Sequence, residues 1–379
     1  MCNACPSQTV YWIWLNELRG IPLRTKRTLL ELLGNPEKVF NASCGDIAEA
    51  LAGDGKDPVA GVADRTHPHR FAPLWSQRNL GQAESILRMH EEHHIETLCA
   101  TDLHYRNIYA HDPKAPLVLY YRGKLAQPEI PLIGIIGSRN CSSYGRRVTR
   151  EAVCEAVAQG KVVASGLSFG IDALAHETTL ALGGATYAFL PCGLHAAQPT
   201  AHAQLMERII GNGAVVTPYS YGKDALPFRF IGRNDLLAAW CDTLLVVEAR
   251  IQSGSINTAR TALAKGKQVF AVPNSLLEPN SHGTNHLLAE GAHVYLNDSL
   301  LATPVARDIL GPHDAHGMAV RGQGHRILTL LTEKPLGTGD LVSLVGQDTP
   351  MVMESLAAME VADQVEYRSD GRWHRVGGP

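Results

Sequence analysis

The chain has 379 residues, 45% of them hydrophobic, with a formal net charge of −3 and a pI near 6.6; such a length buries two or three cores, and no apolar run of about 18 residues is present to span a membrane. A balance this close to neutral excludes recognition of nucleic acid by bulk charge, so any affinity for a polyanion has to come from a local patch. Met1-Cys-Asn-Ala-Cys-Pro6 lacks the basic segment and apolar core of a secretory signal, which predicts a cytoplasmic protein, and the eight cysteines, dispersed through predicted helices and strands, are expected to remain thiols there.

Residues 8–52 read as a small helical domain. Val10, Trp12, Ile13, Leu15 and Leu18 lead to Gly20-Ile-Pro22, Thr28–Leu33 leads to Gly34-Asn-Pro36, and Ile47 to Leu51 follow. Helix and glycine turn in alternation is the pattern of sterile-alpha-motif (SAM) and helix-hairpin-helix (HhH) modules, and equally of a plain three-helix cap. Gly53 to Pro73, rich in glycine, proline and aspartate, reads as a linker. Ala83 to His94 predicts a helix closing on His90, His93 and His94; beside Glu91, Glu92 and Glu96 these form an exposed polar helix end rather than a metal site. Cys2 and Cys5 supply half of the four ligands a closed zinc site needs, so no metal and no other cofactor is expected. Thr97–Cys99 and Leu117–Gly123 predict a strand pair ahead of the main sheet.

Pro131–Gly137 is a short apolar run of the kind buried on both faces of a parallel sheet. Ser138 to Gly145 breaks it with small, hydrogen-bonding residues. From Arg146 to Gln159, Val148, Ala152, Val153, Ala156 and Val157 recur at helical spacing, and Gly160 ends the helix. Lys161–Ser165 is a second strand and Gly166–Asp172 a second turn. The alternation continues: helix over Ala173–Leu182, strand over Ala185–Leu190, helix over Ala201–Ile210, then strands over Ala214–Thr217, Thr243–Glu248 and Gln268–Val272. Strict alternation predicts an α/β, doubly wound, mainly parallel sheet with helices on both faces.

Such sheets bind anionic ligands at the carboxyl ends of their strands. The candidates there are Ser138, Arg139, Ser143, Tyr144 and Gly145 after the first core strand, and Ser165, Gly166, Phe169, Gly170 and Asp172 after the second. Arg229, Arg233 and Asn234 offer guanidinium and amide groups suited to phosphate. Ser253, Gly254, Ser255 and Thr258 open a helix whose free N–H groups suit an anion. Arg139, directly after Gly137-Ser138, points out over this edge; an internal pair with Asp172 or Glu248 is the alternative. Arg146, Arg147 and Arg150 add charge nearby or form a solvated helix face. No nucleophile and base pair is legible, so no catalytic residue is assigned; Glu248 and Asp172 are the carboxylates placed to act as acid or base.

Asn297 to Met318 reads as a linker. Arg326–Leu331, Thr338–Leu344 and Met351–Met359 predict three helices, and Val361–Val365 with Trp373–Val376 a two-stranded wing, so 320–379 reads as a winged helix. Its third helix, which in such modules reads duplex DNA, has no basic residue over Pro350–Met359, which predicts a protein contact instead.

Gly137-Ser-Arg139, Ser143-Tyr144-Gly145 and Ser165–Asp172 followed by Ala175-His176 resemble the DprA/Smf family, the DNA-processing proteins of bacterial transformation. Phe228–Asn234, Val247-Glu248-Ala249, Ser253-Gly-Ser255 and Val269–Pro273 follow in family order, so the resemblance is dense over about 117–296. It implies an extended Rossmann-like core, 75–298, that binds single-stranded DNA, protects incoming DNA and helps load the RecA recombinase. Family members tend to self-associate, and the apolar helix Leu236–Trp240 is a candidate for a homodimer patch. A single-strand groove needs cations and stacking platforms; Arg139, Arg233 and Lys161 would line it, with Tyr144 and Phe169 stacking. Three departures stand out: Asp235 where the family has a second arginine, Asn274 where it has glycine after the Ala-Val-Pro segment, and His195 where a Gly-Leu-Asp turn is usual. The alternative function is a nucleotide-binding sensor or nucleotide-cleaving enzyme using the same pocket, although the Pro-Gly-Gly-x-Gly-Thr turn of Rossmann relatives that cleave cytokinin ribotides is absent.

Overall fold

The computed structural model describes residues 8–43, 45–47, 74 and 76–296, together with 334–346, 365–368, 370–376 and single positions between 327 and 360. The two expected linkers and the Cys2–Cys5 pair lie outside these residues. By its contacts the chain forms two units, Met1–Leu301 and Ala302–Pro379.

The first unit opens with α1 (Gln8–Glu17), α2 (Leu23–Leu33) and α3 (Pro36–Asn41). Gly34, at φ 91°, ends α2, and the Asn35 side chain accepts from the Lys38 N–H with Pro36 in the first turn of α3, so the link between them is a tight cap-to-cap connection. Val10 through Leu15 are all buried, which makes α1 apolar around its whole circumference. A helix of that kind needs cover on every side. Phe40 of α3 covers one side, edge-on to Tyr11 and Trp14, and α4 (Gly81–Glu92), β1 (Glu96–Cys99) and β2 (Val118–Gly123) cover others. One hydrophobic cluster therefore runs from Val10 and Leu29 to Tyr120 and Val215. The helices expected as a separate N-terminal domain over 8–52 share a core with the sheet. His90, expected on an exposed helix end, is buried in the same cluster. Its ring lies 4.5 Å from that of Tyr120, its Nε2 accepts from the Tyr221 N–H at 3.2 Å, and burial pushes its pKa down to about 4.

The remaining elements are α5 (Arg106–His111), β3 (Leu132–Ile136), α6 (Ser143–Ala158), β4 (Val162–Ser165), α7 (Ile171–Ala181), β5 (Thr186–Phe189), α8 (Ala203–Asn212), β6 (Gly213–Thr217), α9 (Pro227–Trp240), β7 (Thr243–Val246), α10 (Gly254–Ala264), β8 (Gln268–Ala271), α11 (His282–Ala289) and β9 (His293–Val294). The nine strands form one sheet in the order β1-β2-β6-β5-β4-β3-β7-β8-β9. β2 pairs antiparallel with both β1 and β6, and every other pairing is parallel. The central strands β3 to β7 are buried at every position, as expected where helices cover both faces. Leu236 to Trp240 at the end of α9 are buried against the sheet. They cannot supply the surface for a second copy, because an apolar run at the inward end of a helix is already spent on its own core. Among the described residues no helix is long and apolar enough to cross a membrane.

The second unit contains α12 (Thr338–Val345) and a hairpin of β10 (Val365–Tyr367) and β11 (Trp373–Arg375). Trp373 exchanges backbone hydrogen bonds with Leu336, and its indole N–H donates to Thr338 Oγ1 at 3.1 Å. These residues close a core of their own with Ile327, Leu331, Leu341, Val352, Leu356 and Met359.

Two truncations test this organisation. A chain ending at residue 301 is expected to keep the cooperative melt of the first unit, whereas a chain starting at residue 75 is expected to lose it, since β2 and α4 would face water across the surface that α1 covers. Circular-dichroism melts of both chains check the pair, and a stable 75–301 fragment would show that the helices are an accessory.

Candidate nucleic-acid interface

β3 and β7 lie side by side and parallel, yet the chain leaves β3 toward β4 on one side and β7 toward β8 on the other. At such a switch point the two departing loops diverge and leave a crevice beyond the strand ends. Here it is a cleft of about 860 Å³, walled by Gly137–Asn140 after β3, Gly166, Ser168 and Asp172 after β4, the first turns of α9, and Arg250 and Gln252 to Ser255 after β7.

Among the helices whose amino ends face this edge, α6 and α10 differ in what holds those ends. At α6, Glu248 is buried over the first turn. Its Oε2 accepts from the Ser142 N–H at 2.9 Å and its Oε1 from the Ser142 hydroxyl, which itself accepts from the Gly145 N–H. A Cβ at position 145 would sit 2.5 Å from the Glu248 carboxyl carbon, so the carboxylate reaches the helix only because Gly145 has none. The positive end of α6 is thereby neutralised from within. At α10 the Ser253 side chain caps the Ile256 N–H, and Ser255 Oγ donates to Gly137 O at 3.1 Å. Among the described residues no carboxylate is hydrogen-bonded there, and the first turn of the helix lines the cleft.

A second cleft, of about 820 Å³, lies at the opposite edge and includes Lys114, Lys265 and Lys267. There α9 and α10 present their carboxyl ends, whose partial negative charge the lysines offset, and Lys265 pairs with Asp112 at 2.7 Å. The same edge holds Lys161, which precedes β4 and is buried, with Asp242 supporting its charge. Lys161 therefore does not line the carboxyl-edge groove: a residue at the start of a parallel strand is a full strand length from the loops at its end.

The arginines divide into two kinds. Arg233 is buried; its Nη1 donates to Gly166 O and, at 2.9 Å, to Phe189 O, and its Nε donates to Asn234 Oδ1 at 2.8 Å. It joins the ends of β4 and β5 to α9. Asp172 stands beside it; burial raises the carboxyl pKa, against the opposing pull of Arg233 and the Ser168 N–H. Arg139 is exposed and has no hydrogen bond or ion pair among the described residues, so the expected alternative of a pair with Asp172 or Glu248 does not form. Its guanidinium is close enough to Arg233 to oppose the charge there. Phe230 stands three residues before Arg233 on α9, one turn away, and brings an aromatic ring into the cleft. Asn140, Arg250, Gln252 and Asn280 complete the wall; Arg250 Nε donates to Asn280 Oδ1 at 3.3 Å, and Asn280 Nδ2 to Asn140 O at 2.8 Å.

The family model of DNA recombination-mediator protein A matches residues 96–303, the span that builds the sheet and both walls of the cleft. The chain belongs to this family. Protein Smf of Synechocystis is 31% identical over 302 residues, covering 78% of this chain and 72% of that one. The DNA processing protein DprA of Streptococcus pneumoniae is 38% identical over 178 residues, 47% of this chain and 63% of that protein. Its X-ray structure matches with a TM-score of 0.65 at 27% identity, over 80% of this chain and 99% of that one. The DprA/Smf resemblance and the extended Rossmann-like core read from the sequence are therefore both found.

In this DprA/Smf chain Ser138, Arg139, Gly166, Asp172, Arg233, Asn234, Ser253, Gly254, Ser255 and Thr258 meet at the cleft. Gly145 instead sits under Glu248, Ser143 is exposed in the first turn of α6 outside the cleft wall, and Tyr144 is turned away, its hydroxyl donating to Pro273 O at 3.2 Å. Ser165 is interior and ties β4 to β3 through Ile135 O at 2.7 Å. Arg229 lies outside the cleft wall, donating to Asp224 O and stacking 5.1 Å over Tyr219. Phe169 and Gly170 form a turn at the rim. Asp235 accepts from Thr261 Oγ1 at 3.3 Å on the flank of α10, so this departure from the family pattern does not put a carboxylate into the cleft. The residues that sequence reasoning missed, Phe230 and Arg250, each carried a signal: Phe230 shares a helix face with Arg233, and Arg250 follows a strand end by the same short step as Arg139.

The two arginines are expected to separate on mutation. Arg139→Ala should cost about 1.5–3 kcal/mol of affinity for a polyphosphate ligand, the range for a hydrogen bond to a charged group, with an unchanged melt. Arg233→Ala should cost about 3–5 kcal/mol of stability, because it strands Asp172 and two buried carbonyls. Melts and oligonucleotide titrations of both variants check this; a destabilised Arg139→Ala protein contradicts the assignment.

Proposed function

We propose that this chain binds single-stranded DNA across the switch-point cleft and passes it on to the RecA recombinase during uptake and recombination of incoming DNA. The observation that carries the reading is the unpaired Arg139 facing the open amino end of α10 across a cleft lined by the Phe230 ring. A single strand exposes both phosphates and base faces, and a duplex hides the faces, so a groove offering a cation, backbone N–H groups and a π-surface favours the unpaired form. Membership of a recombination-mediator family agrees with a role in handing DNA onward. The protein acts by binding in the cytoplasm rather than by catalysis: Glu248 is engaged as the cap of α6, and Asp172 is buried beside Arg233 and held by Ser165 and Ser168. Residues 320–379 are read as a winged helix that contacts protein.

Self-association belongs to the same reading. Leu276 and Leu277 are 79% and 89% exposed, and Leu276 and Ile251 border one shallow groove beside α11. Large apolar side chains left this open mark a surface for a partner, here a second copy of the chain. Leu277→Glu is expected to convert dimer to monomer in sedimentation-velocity runs without changing the melt. A wild-type chain that is monomeric at tens of micromolar contradicts the assignment.

Anisotropy titrations of a labelled oligonucleotide and its duplex at several salt concentrations test the DNA reading. Single strands are expected to bind more tightly, with log affinity falling by about 0.7 per phosphate neutralised for each unit of log salt. Equal affinity for both forms counts against the groove. Nucleotide turnover by the same preparation would favour the sensor or nucleotide-cleaving alternative.

A further inference from the structure

The turn between β4 and α7 carries a feature that the cleft does not require. Leu167 lies at φ 59°, a left-handed conformation rare for a branched side chain, and Gly170 at φ 79°. The turn is pressed onto the loop after β3: a Cβ at position 170 would stand 2.3 Å from Ser138 O and 2.5 Å from Arg139 O, and the Ile171 N–H donates to Ser138 O at 3.2 Å. His202 fixes it from the other side. Its Nδ1 donates to Leu167 O at 2.8 Å, and its ring packs edge-on to Phe169 with centroids 4.6 Å apart and planes at 65°. Full burial of the Leu167 side chain offsets the backbone strain. What this arrangement holds up is Phe169, 48% exposed, on a backbone locked to that of Arg139.

From this geometry we infer that Phe169, supported by His202, is a second base-stacking platform, placed beyond the cleft so that a strand whose phosphate is held at Arg139 lays its next base on the Phe169 ring. The inference rests on the single-strand reading and extends it from a pocket to a path. A flexible phenylalanine would lose rotamer freedom on each binding event; one held by a strained turn and a neighbouring ring is ordered beforehand, which is the condition for a stacking contact to add affinity. Stacking also tolerates any base, because each has a π-face. His202 acts here as a positioning residue.

The test uses the full chain and oligothymidylates of increasing length. Phe169→Ala is expected to weaken binding roughly 5- to 150-fold on the longer oligomers, the range for one lost stacked base, and to leave the shortest oligomer that binds unaffected, since that one fills the cleft alone. Phe169→Leu should lose as much as Phe169→Ala, Phe169→Trp should bind at least as well as wild type, and His202→Ala should show part of the loss, all with melts near that of wild type. A 5-iodouracil oligomer cross-linked by light should label Phe169, mapped by mass spectrometry. Equal affinity of Phe169→Ala and wild type at every length overturns the inference, and so does a loss that is the same at all lengths, which would place Phe169 in the cleft itself. A wild-type chain that binds no oligomer overturns the single-strand reading instead, so the two failures are distinguishable.

Discussion

Glu248 places a buried carboxylate on the amino end of α6, and the arrangement of the carboxyl edge depends on that contact. Without an acceptor the first turn of α6 would expose unsatisfied N–H groups and a positive end next to Arg139. With Glu248 in place, held by the Ser142 N–H and hydroxyl over Gly145, α6 becomes a closed structural joint between β3 and β7. The neighbouring α10 has its first turn in the wall of the cleft. Two glycine- and serine-containing turns that look equivalent in the chain thus take opposite roles: one binds an anion that belongs to the protein, the other faces the open cleft.

Arg233 performs a comparable closure on the second wall. A guanidinium buried at the ends of β4 and β5 is costly unless its donors are used, and here they reach Gly166 O, Phe189 O and Asn234 Oδ1. The result fixes α9 against the sheet and sets Phe230 at the cleft. Electrostatically the same residue matters to Arg139, since two guanidiniums near one another oppose each other's charge while the buried Asp172 carboxylate beside Arg233 supports it. The opposite edge shows the converse. Its lysines meet helix carboxyl ends and the carboxylates of Asp112 and Asp242 in a cleft of similar size.

The N-terminal helices bear on the site indirectly. By covering β1, β2 and α4 they allow the sheet to extend beyond β6, and the antiparallel β2 closes what would otherwise be an open edge. His90, neutral and buried against Tyr120, belongs to this joint. The carboxyl edge therefore stands on a sheet whose β1-β2 end is covered by these helices.

The alternation of short apolar runs with helical spacings determined the doubly wound sheet, and hydroxyl and glycine turns at strand ends determined which edge would carry the site. Both are local signals: a strand buried on two faces must be apolar throughout, and a turn at its end must contain residues that tolerate unusual backbone. Motif order was enough to place the chain with the DprA/Smf proteins. Only the tertiary structure decided which charges are free. That Arg233 is a buried tie while Arg139 is unpaired, that Glu248 occupies the end of α6, that Lys161 lies on the far edge, and that α1 joins the sheet's core all depend on contacts between residues far apart in the chain. Charge and hydroxyl content do not encode such pairings, because a side chain's partner is set by where the fold brings its neighbours, and an arginine already bonded to two carbonyls has the same letter as one left open to a phosphate.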